Sequence, residues 1–248
     1  MRDTLVGAFA EIDERAERRR LALRLTGSIA VQLRCPQHAA LAGPARRFAD
    51  LDLVAYQRDA PEIRELMAGI GYAENREVFV VSEGRRAIFD HPVSRVHVDV
   101  FFDRLDFCHV IDVRGRIERD ARTLPLAELL LGKLQIVKSN TKDLLDAAIV
   151  LLEHDFGEDD GETINSARIG ALCAEDWGLW RTVSGNLEKL EQFIGAAPEI
   201  GDEARARIPR QAAKLRQVID AVPKPFAWRM RAKLGDRIRW YRDVEDVE

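Results

Sequence analysis

Between residues 21 and 34 the spacing of apolar side chains changes period at one glycine. Leu21, Leu23 and Leu25 alternate with Ala22 and Arg24, the two-residue period of a half-buried strand. Beyond Gly27, the run Ser28-Ile29-Ala30-Val31-Gln32-Leu33 reads as a helix with Ser28 at or near its N-cap. A strand that feeds a Gly-Ser turn into a helix belongs to a sheet flanked by helices. Its unpaired backbone N–H groups and the positive end of the helix suit a phosphate.

Carboxylates follow at strand positions. Asp50 and Asp52 lie two apart in Asp50-Leu51-Asp52-Leu53-Val54, so in a strand they share one face. Asp99 sits in Arg95-Val96-His97-Val98-Asp99-Val100-Phe101-Phe102, where polar and apolar residues alternate before two phenylalanines. Any one of these acids alone could be a strand-end residue bonded to a loop. Three beside a phosphate-cradling turn supply the hard oxygen ligands of a two-metal phosphoryl-transfer site.

Gly27-Ser28, Asp50-x-Asp52 and a third Asp in an apolar strand together resemble the DNA polymerase β-like nucleotidyltransferase superfamily. Further on, Glu128-Leu129-Leu130-x-x-Lys133-Leu134 and Lys142-Asp143-x-x-Asp146 look like the helix pair of AbiEii-type nucleotidyltransferases, including MenA-like toxins. The likeness spans roughly residues 20–150. One departure is the 21 residues between Ser28 and Asp50, longer than the gap usual in that family.

The resemblance implies an α/β (α+β) fold: a mixed sheet with flanking helices over residues 1–124, then an all-helical domain over 125–248. It implies transfer of a nucleoside monophosphate from an NTP to an acceptor hydroxyl. Asp50, Asp52 and Asp99 would be the catalytic carboxylates and hold two Mg²⁺ ions, with Mn²⁺ able to substitute. Gly27 and Ser28 would bind the β- and γ-phosphates, Lys133 would neutralise the leaving triphosphate, and Asp143 would orient Lys133 or touch the base. RNA, tRNA in particular, is the implied acceptor, with a cognate antitoxin as partner. Antibiotic-modifying enzymes share the core, so a small-molecule acceptor stays open, as does a nucleotide-binding module without catalysis. No Gly-x-x-x-x-Gly-Lys-Ser/Thr run occurs, which argues against a P-loop NTPase.

Composition narrows the remaining classes. The formal charge of −4 gives no global basicity. Residues 1–125 carry 20 Lys+Arg against 20 Asp+Glu, and all seven lysines lie beyond residue 132. Three widely spaced cysteines, Cys35, Cys108 and Cys173, form no disulfide framework and point to a reducing, cytoplasmic setting. Cys35-x-x-His38 and Cys108-His109 lack the spacing of a zinc knuckle. No apolar run approaches the roughly 20 residues that cross a bilayer, and the first residues lack a signal-peptide core, so no membrane partner is expected.

Residues 3–20 read as a helix buried along Leu5, Phe9, Ile12 and Ala16. A Pro/Ala/Gly loop from Cys35 to Pro44 delivers Arg46-Arg47-Phe48 ahead of Asp50; these arginines touch phosphates or balance the carboxylates. Asp59-Ala60-Pro61-Glu62 starts a helix with Ile63, Leu66, Met67 and Ile70 inward. Strands are expected at Val78–Val81, Ala87–Phe89 and Asp99, with a further strand pair bracketing Arg114-Gly115. His97 shares the face of Asp99, where it contacts the site or a cross-strand partner.

At Thr123-Leu124-Pro125 the pattern turns helical. Leu126–Val137 is apolar nearly all round, so Lys133 within it needs a partner or must snorkel. Asn140 or Thr141 caps the next helix. Glu158–Glu162 reads as an acidic linker, Trp177 and Trp180 as core, and residues 201–222 as a further helix. From Lys224 to Arg242, Phe226, Trp228, Trp240 and Tyr241 interleave with Arg229, Arg231, Lys233, Arg237 and Arg239. That pattern suits either an RNA-binding surface or an amphipathic segment packed on its own domain.

Overall fold

A computed structural model describes residues 2–43, 46–196 and 200–243. The fold is mixed α/β. The chain divides into two compact units: Met1–Leu33 with Pro44–Asp106 and Ile111–Pro125, and Arg34–Gly43 with Phe107–Val110 and Leu126–Glu248.

The first unit is built on a five-stranded sheet. Its elements are α1 (Arg2–Arg18), β1 (Arg24–Thr26), α2 (Gly27–Arg34), β2 (Asp50–Ala55), α3 (Ala60–Gly69), β3 (Ala73–Asn75), α4 (Arg76–Val81), β4 (Arg86–Asp90) and β5 (His97–Phe102). The strand order is β1-β2-β5-β4-β3, with β2 and β5 parallel and the other neighbours antiparallel. The register pairs Leu25 with Leu53, Leu53 with Val100 and Val100 with Ala87, so one face is apolar throughout. Leu51, Leu53, Ala55, Val98, Val100, Phe102, Ala87 and Phe89 are buried there, and α1 and α3 belong to the same core through Leu5, Phe9, Ile12, Ile63, Leu66 and Met67. Each fully buried Leu, Ile or Phe contributes about 1.5–3 kcal/mol relative to exposure.

Strand β1 is narrower than the Leu21–Leu25 alternation implies, although all three leucines are buried. Residues 122–124 run along its outer edge: the Leu25 N–H donates to Arg122 O and the Leu124 N–H to Leu25 O, both at 2.9 Å.

Two sequence expectations fail here. Val78–Val81 is not a strand but the body of α4, with Val80 and Val81 exposed at 73% and 76%. The Asn75 side chain accepts from the Val78 N–H and starts the turn, and Phe79 packs edge-on against Phe102 at 6.4 Å beneath Arg64. Local capping and one aromatic anchor outweigh the strand propensity of three valines. The second failure is the hairpin. Strands β6 (Arg104–Asp106) and β7 (Val110–Asp112) pair with each other, so the reversal lies at residues 107–109, and Arg114-Gly115 leads instead into a short 3-10 turn at Ile117–Arg119.

The second unit holds α5 (Leu126–Leu134), α6 (Thr141–Glu153), a minimal parallel pair β8 (Phe156–Gly157) and β9 (Ile164–Asn165), α7 (Ser166–Glu175), α8 (Trp177–Ala196), α9 (Asp202–Ala221) and α10 (Phe226–Leu234). Residues 35–43, read as a loop, contain a 3-10 turn at Ala39–Ala42, and Pro44 lies outside the described residues. Helix α5 stops at Leu134, short of Val137, because Asn186 donates to the carbonyls of Leu134 and Ile136 at 2.8 Å and ties off its end. Helix α6 begins with a capping box: Asn140 accepts from the N–H groups of Lys142 and Asp143, and Asp143 accepts from the Asn140 N–H. No helix among the described residues is long and apolar enough to cross a membrane.

Candidate functional site

The polar face of the sheet gathers the carboxylates. Asp52 and Asp99 are direct partners across β2 and β5, and Asp50 pairs with His97, so all four side chains project from one face. Burial is graded along it: Asp99 is 5% exposed, Asp52 half-buried and Asp50 exposed. Strand β1 brings Thr26 opposite Asp52, and the chain then turns at Gly27 with φ +65°. A Cβ at Gly27 would lie 1.9 Å from Asp52 Oδ2. Glycine is required twice over, by the left-handed backbone and by the carboxylate against it. Turn and acidic strand are therefore in contact despite the long gap between Ser28 and Asp50.

Arg46 joins this corner by donating from Nη2 to Ser28 Oγ at 2.8 Å, with its guanidinium 5.4 Å from the Phe48 ring centre. Of the two roles open to it, Arg46 thus stands at the turn that could bind phosphate. His97 takes the cross-strand role: its Nδ1 lies 2.9 Å from Asp90 Oδ1.

Asp99 has a partner that sequence reasoning missed. Arg86, on β4, reaches diagonally across the sheet and donates from Nε to both carboxylate oxygens at 2.9 Å and from Nη2 to Oδ2 at 2.6 Å. Burial pushes the Asp99 carboxyl up from its ordinary range, against the pull of Arg86 and His97, and the charge of Asp50 adds to the push. Burial lowers the Arg86 guanidinium, but its bonds to Asp99 and the charges of Asp99 and Asp52 outweigh this and the net direction is up. The signal for Arg86 was hidden in strand register, since it becomes a neighbour of Asp99 only once β4 pairs antiparallel with β5.

The other two nucleotide-binding candidates lie in the helical unit. Lys133 Nζ is 3.0 Å from Asp146 Oδ2 and 3.7 Å from Asp143 Oδ1, and Asp146 is fully buried. Lys133 is thus a paired lysine rather than a snorkelling one, and Asp143 both caps α6 and faces Lys133. The spacing Asp143-x-x-Asp146 puts both acids on one side of the helix, which was the available signal for Asp146.

The C-terminal segment packs on its own unit. Trp228 Nε1 donates to Cys173 O and Trp240 Nε1 to Thr182 Oγ1, both at 3.0 Å. Trp177, Trp180, Trp228, Trp240 and Tyr241 form a chain of ring contacts 5.2–6.3 Å apart. Arg231 lies over Trp177 and donates to the carbonyls of Gly235 and Ile238, while Arg239 pairs with Asp243. The side chains of Arg229, Lys233 and Arg237 are exposed. All three cysteines are buried and unpaired.

Among the described residues no group of three or more His, Cys, Asp or Glu side chains is arranged to hold a metal ion. Asp50 and Asp52 are two hard carboxylates nearer to water than Asp99, which is bonded to Arg86. No family model, no curated protein and no solved structure matches this chain.

Proposed function

We propose that the chain is a nucleotidyltransferase, moving a nucleoside monophosphate from an NTP to an acceptor hydroxyl with release of pyrophosphate. The observation that carries this reading is the absence of room at Gly27: the turn that suits a phosphate and the Asp52 carboxylate touch. Acid against an anion site makes sense where a cation mediates between them. Asp50 and Asp52 would hold Mg²⁺, or Mn²⁺ in its place, which when bound neutralises phosphate charge and favours ionisation of the attacking hydroxyl. The backbone N–H groups at Gly27 and Ser28 and the Arg46 guanidinium would bind the β- and γ-phosphates and stabilise the charge that gathers on the leaving pyrophosphate. Asp99 sets the buried end of the carboxylate row. Because Lys133 is already engaged by Asp146 and Asp143, sheet-unit residues carry the proposal by themselves.

RNA is the acceptor we favour, tRNA in particular, as the likeness to AbiEii-type enzymes implies. A toxin role with a cognate antitoxin follows from the same likeness. The exposed cations Arg229, Lys233 and Arg237 are the surface such an acceptor would use. A small antibiotic-like acceptor is the second reading, favoured by the engagement of Arg231 and Arg239 within the packed tail.

The test is to incubate the protein with Mg²⁺, each labelled NTP, and either total tRNA or a panel of aminoglycosides and lincosamides. Label on an acceptor that disappears with Asp52→Asn is the expected result. Absence of NTP binding at millimolar concentration with Mg²⁺ present overturns the reading. Should tRNA be labelled, changing Arg229, Lys233 and Arg237 together to Ala should lessen the salt dependence of its binding, by a log–log slope of about 0.7 per lost phosphate contact.

A further inference from the structure

We propose that the outward face of α10 is a docking surface for an acidic amphipathic helix of a partner protein. The inference stands on the helical unit alone and does not rest on the transferase reading.

Phe226, Met230 and Leu234 recur every four residues along α10, so they line one side of the helix. They are exposed at 70%, 43% and 45%. A surface helix ordinarily turns its apolar stripe toward the core, and this one turns it outward. The reason lies on the opposite side. Trp228 and Arg231, three residues apart, face inward together. The Trp228 Nε1 donates to Cys173 O at 3.0 Å, and its ring packs edge-on against Trp180 at 5.2 Å. The Arg231 guanidinium lies 4.2 Å from the Trp177 ring centre and donates to Gly235 O at 2.8 Å and Ile238 O at 2.7 Å. Rolling α10 to bury Phe226 would break these contacts and leave their polar groups without bonds. The stripe is held outward, already ordered.

Charge says what belongs on it. Helix α10 contains no acidic residue, and Arg229 and Lys233, each three positions after a member of the stripe, run along one flank. Both are exposed. Asp236, just beyond the helix, is engaged by Arg181 at 2.9 Å. The surface is therefore apolar along its middle and positive along one edge. Its complement is an apolar stripe edged with Asp or Glu, which an amphipathic helix supplies through side chains at i, i+3, i+4 and i+7. A second copy of α10 would set like charges against each other. Phosphates of a nucleic acid could use the cations, as above, but have no use for Met230 and Leu234. The indoles on which bases would stack, Trp228 and Trp240, are turned inward with their Nε1 groups bonded.

The probe is a fluorescent three-heptad peptide with Leu at the a and d positions, Glu at e and g and Ala elsewhere, titrated with the whole protein at low salt and read by anisotropy. Expected is saturable binding that weakens as salt rises and falls about tenfold or more in Phe226→Ser/Met230→Ser. Both residues are exposed, so the melting temperature of that variant should stay put. Arg229→Glu/Lys233→Glu should lose the Glu peptide and gain the same peptide with Lys in place of Glu. No binding to the wild type at tens of micromolar overturns the proposal, and so does binding that neither variant alters. Polyuridine RNA that binds in place of the peptide and is released by Phe226→Ser/Met230→Ser would make the stripe a base-contact surface and overturn it. A wild-type dimer in sedimentation that the same variant dissociates would assign the face to a second copy, and overturn it too. None of these outcomes touches NTP binding, so the transferase reading stands or falls separately.

Discussion

Buried acids occur in both units, yet they are arranged in opposite ways. In the helical unit each fully buried carboxylate has its own cation: Asp146 has Lys133 at 3.0 Å and Glu128 has Arg168 at 3.2 Å. On the sheet face the acids form a row that runs from the arginine-bound Asp99 outward to the exposed Asp50. Matched pairs of the first kind hold elements together. A graded row instead brings acid progressively toward water, with Asp50 exposed at its end. Under the transferase reading proposed above, the distinction would separate carboxylates that keep the fold from carboxylates that do chemistry, and it can be tested residue by residue.

Asp146→Ala should have the largest effect. It removes the nearer partner of the Lys133 ammonium, whose side chain is 12% exposed, and leaves Asp143 at 3.7 Å, at a cost of about 3–4 kcal/mol, which lowers the melting temperature by roughly 10 °C. A loss below about 1 kcal/mol would place Asp146 with the ligand-binding acids. Asp99→Ala comes next, at about 3 kcal/mol, because Arg86 then loses three donor contacts. Urea unfolding of the two variants side by side shows whether Asp99 behaves as a paired acid despite its place in the row.

Gly27→Ala should cost about 2–3 kcal/mol, from the left-handed backbone and from contact with Asp52. The double variant Gly27→Ala/Asp52→Ala relieves the contact and should therefore be more stable than additivity allows; strict additivity would mean that the backbone alone carries the cost. Smallest is Asp52→Asn, expected to change stability by less than about 0.5 kcal/mol while abolishing nucleotide transfer. A stability loss with transfer retained would make Asp52 structural and erase the contrast between the units.

Features set by local periodicity were legible in the sequence. The buried stripe of α1 is Leu5, Phe9, Ile12 and Ala16, as its spacing indicates, and the Asn140/Asp143 start of α6 follows from capping chemistry. The shared face of Asp50 and Asp52 needs only the two-residue repeat of a strand. What depends on pairing between distant segments was not legible. Arg86 reaches Asp99 through an antiparallel register that no local pattern encodes, and the helical state of Val78–Val81 is decided by Asn75 and by Phe102. Lys133 was readable as a residue needing a partner, and Asp143 was expected beside it; that Asp146 is the nearer one was a matter of how α5 meets α6.

The strip at residues 122–124 has a consequence for synthesis. Strand β1 emerges from the ribosome early, but the hydrogen bonds along its outer edge come from residues nearly a hundred positions later. At about 5–20 residues per second, that edge stays open for several seconds, presenting unpaired N–H and C=O groups to any passing strand. Chain release before residue 122 would leave the edge open permanently. Fragments ending at residue 120 should accordingly aggregate where fragments ending at residue 125 do not. The strand that comes first in the sheet is thus the one whose outer edge is closed after all the other strands have been made.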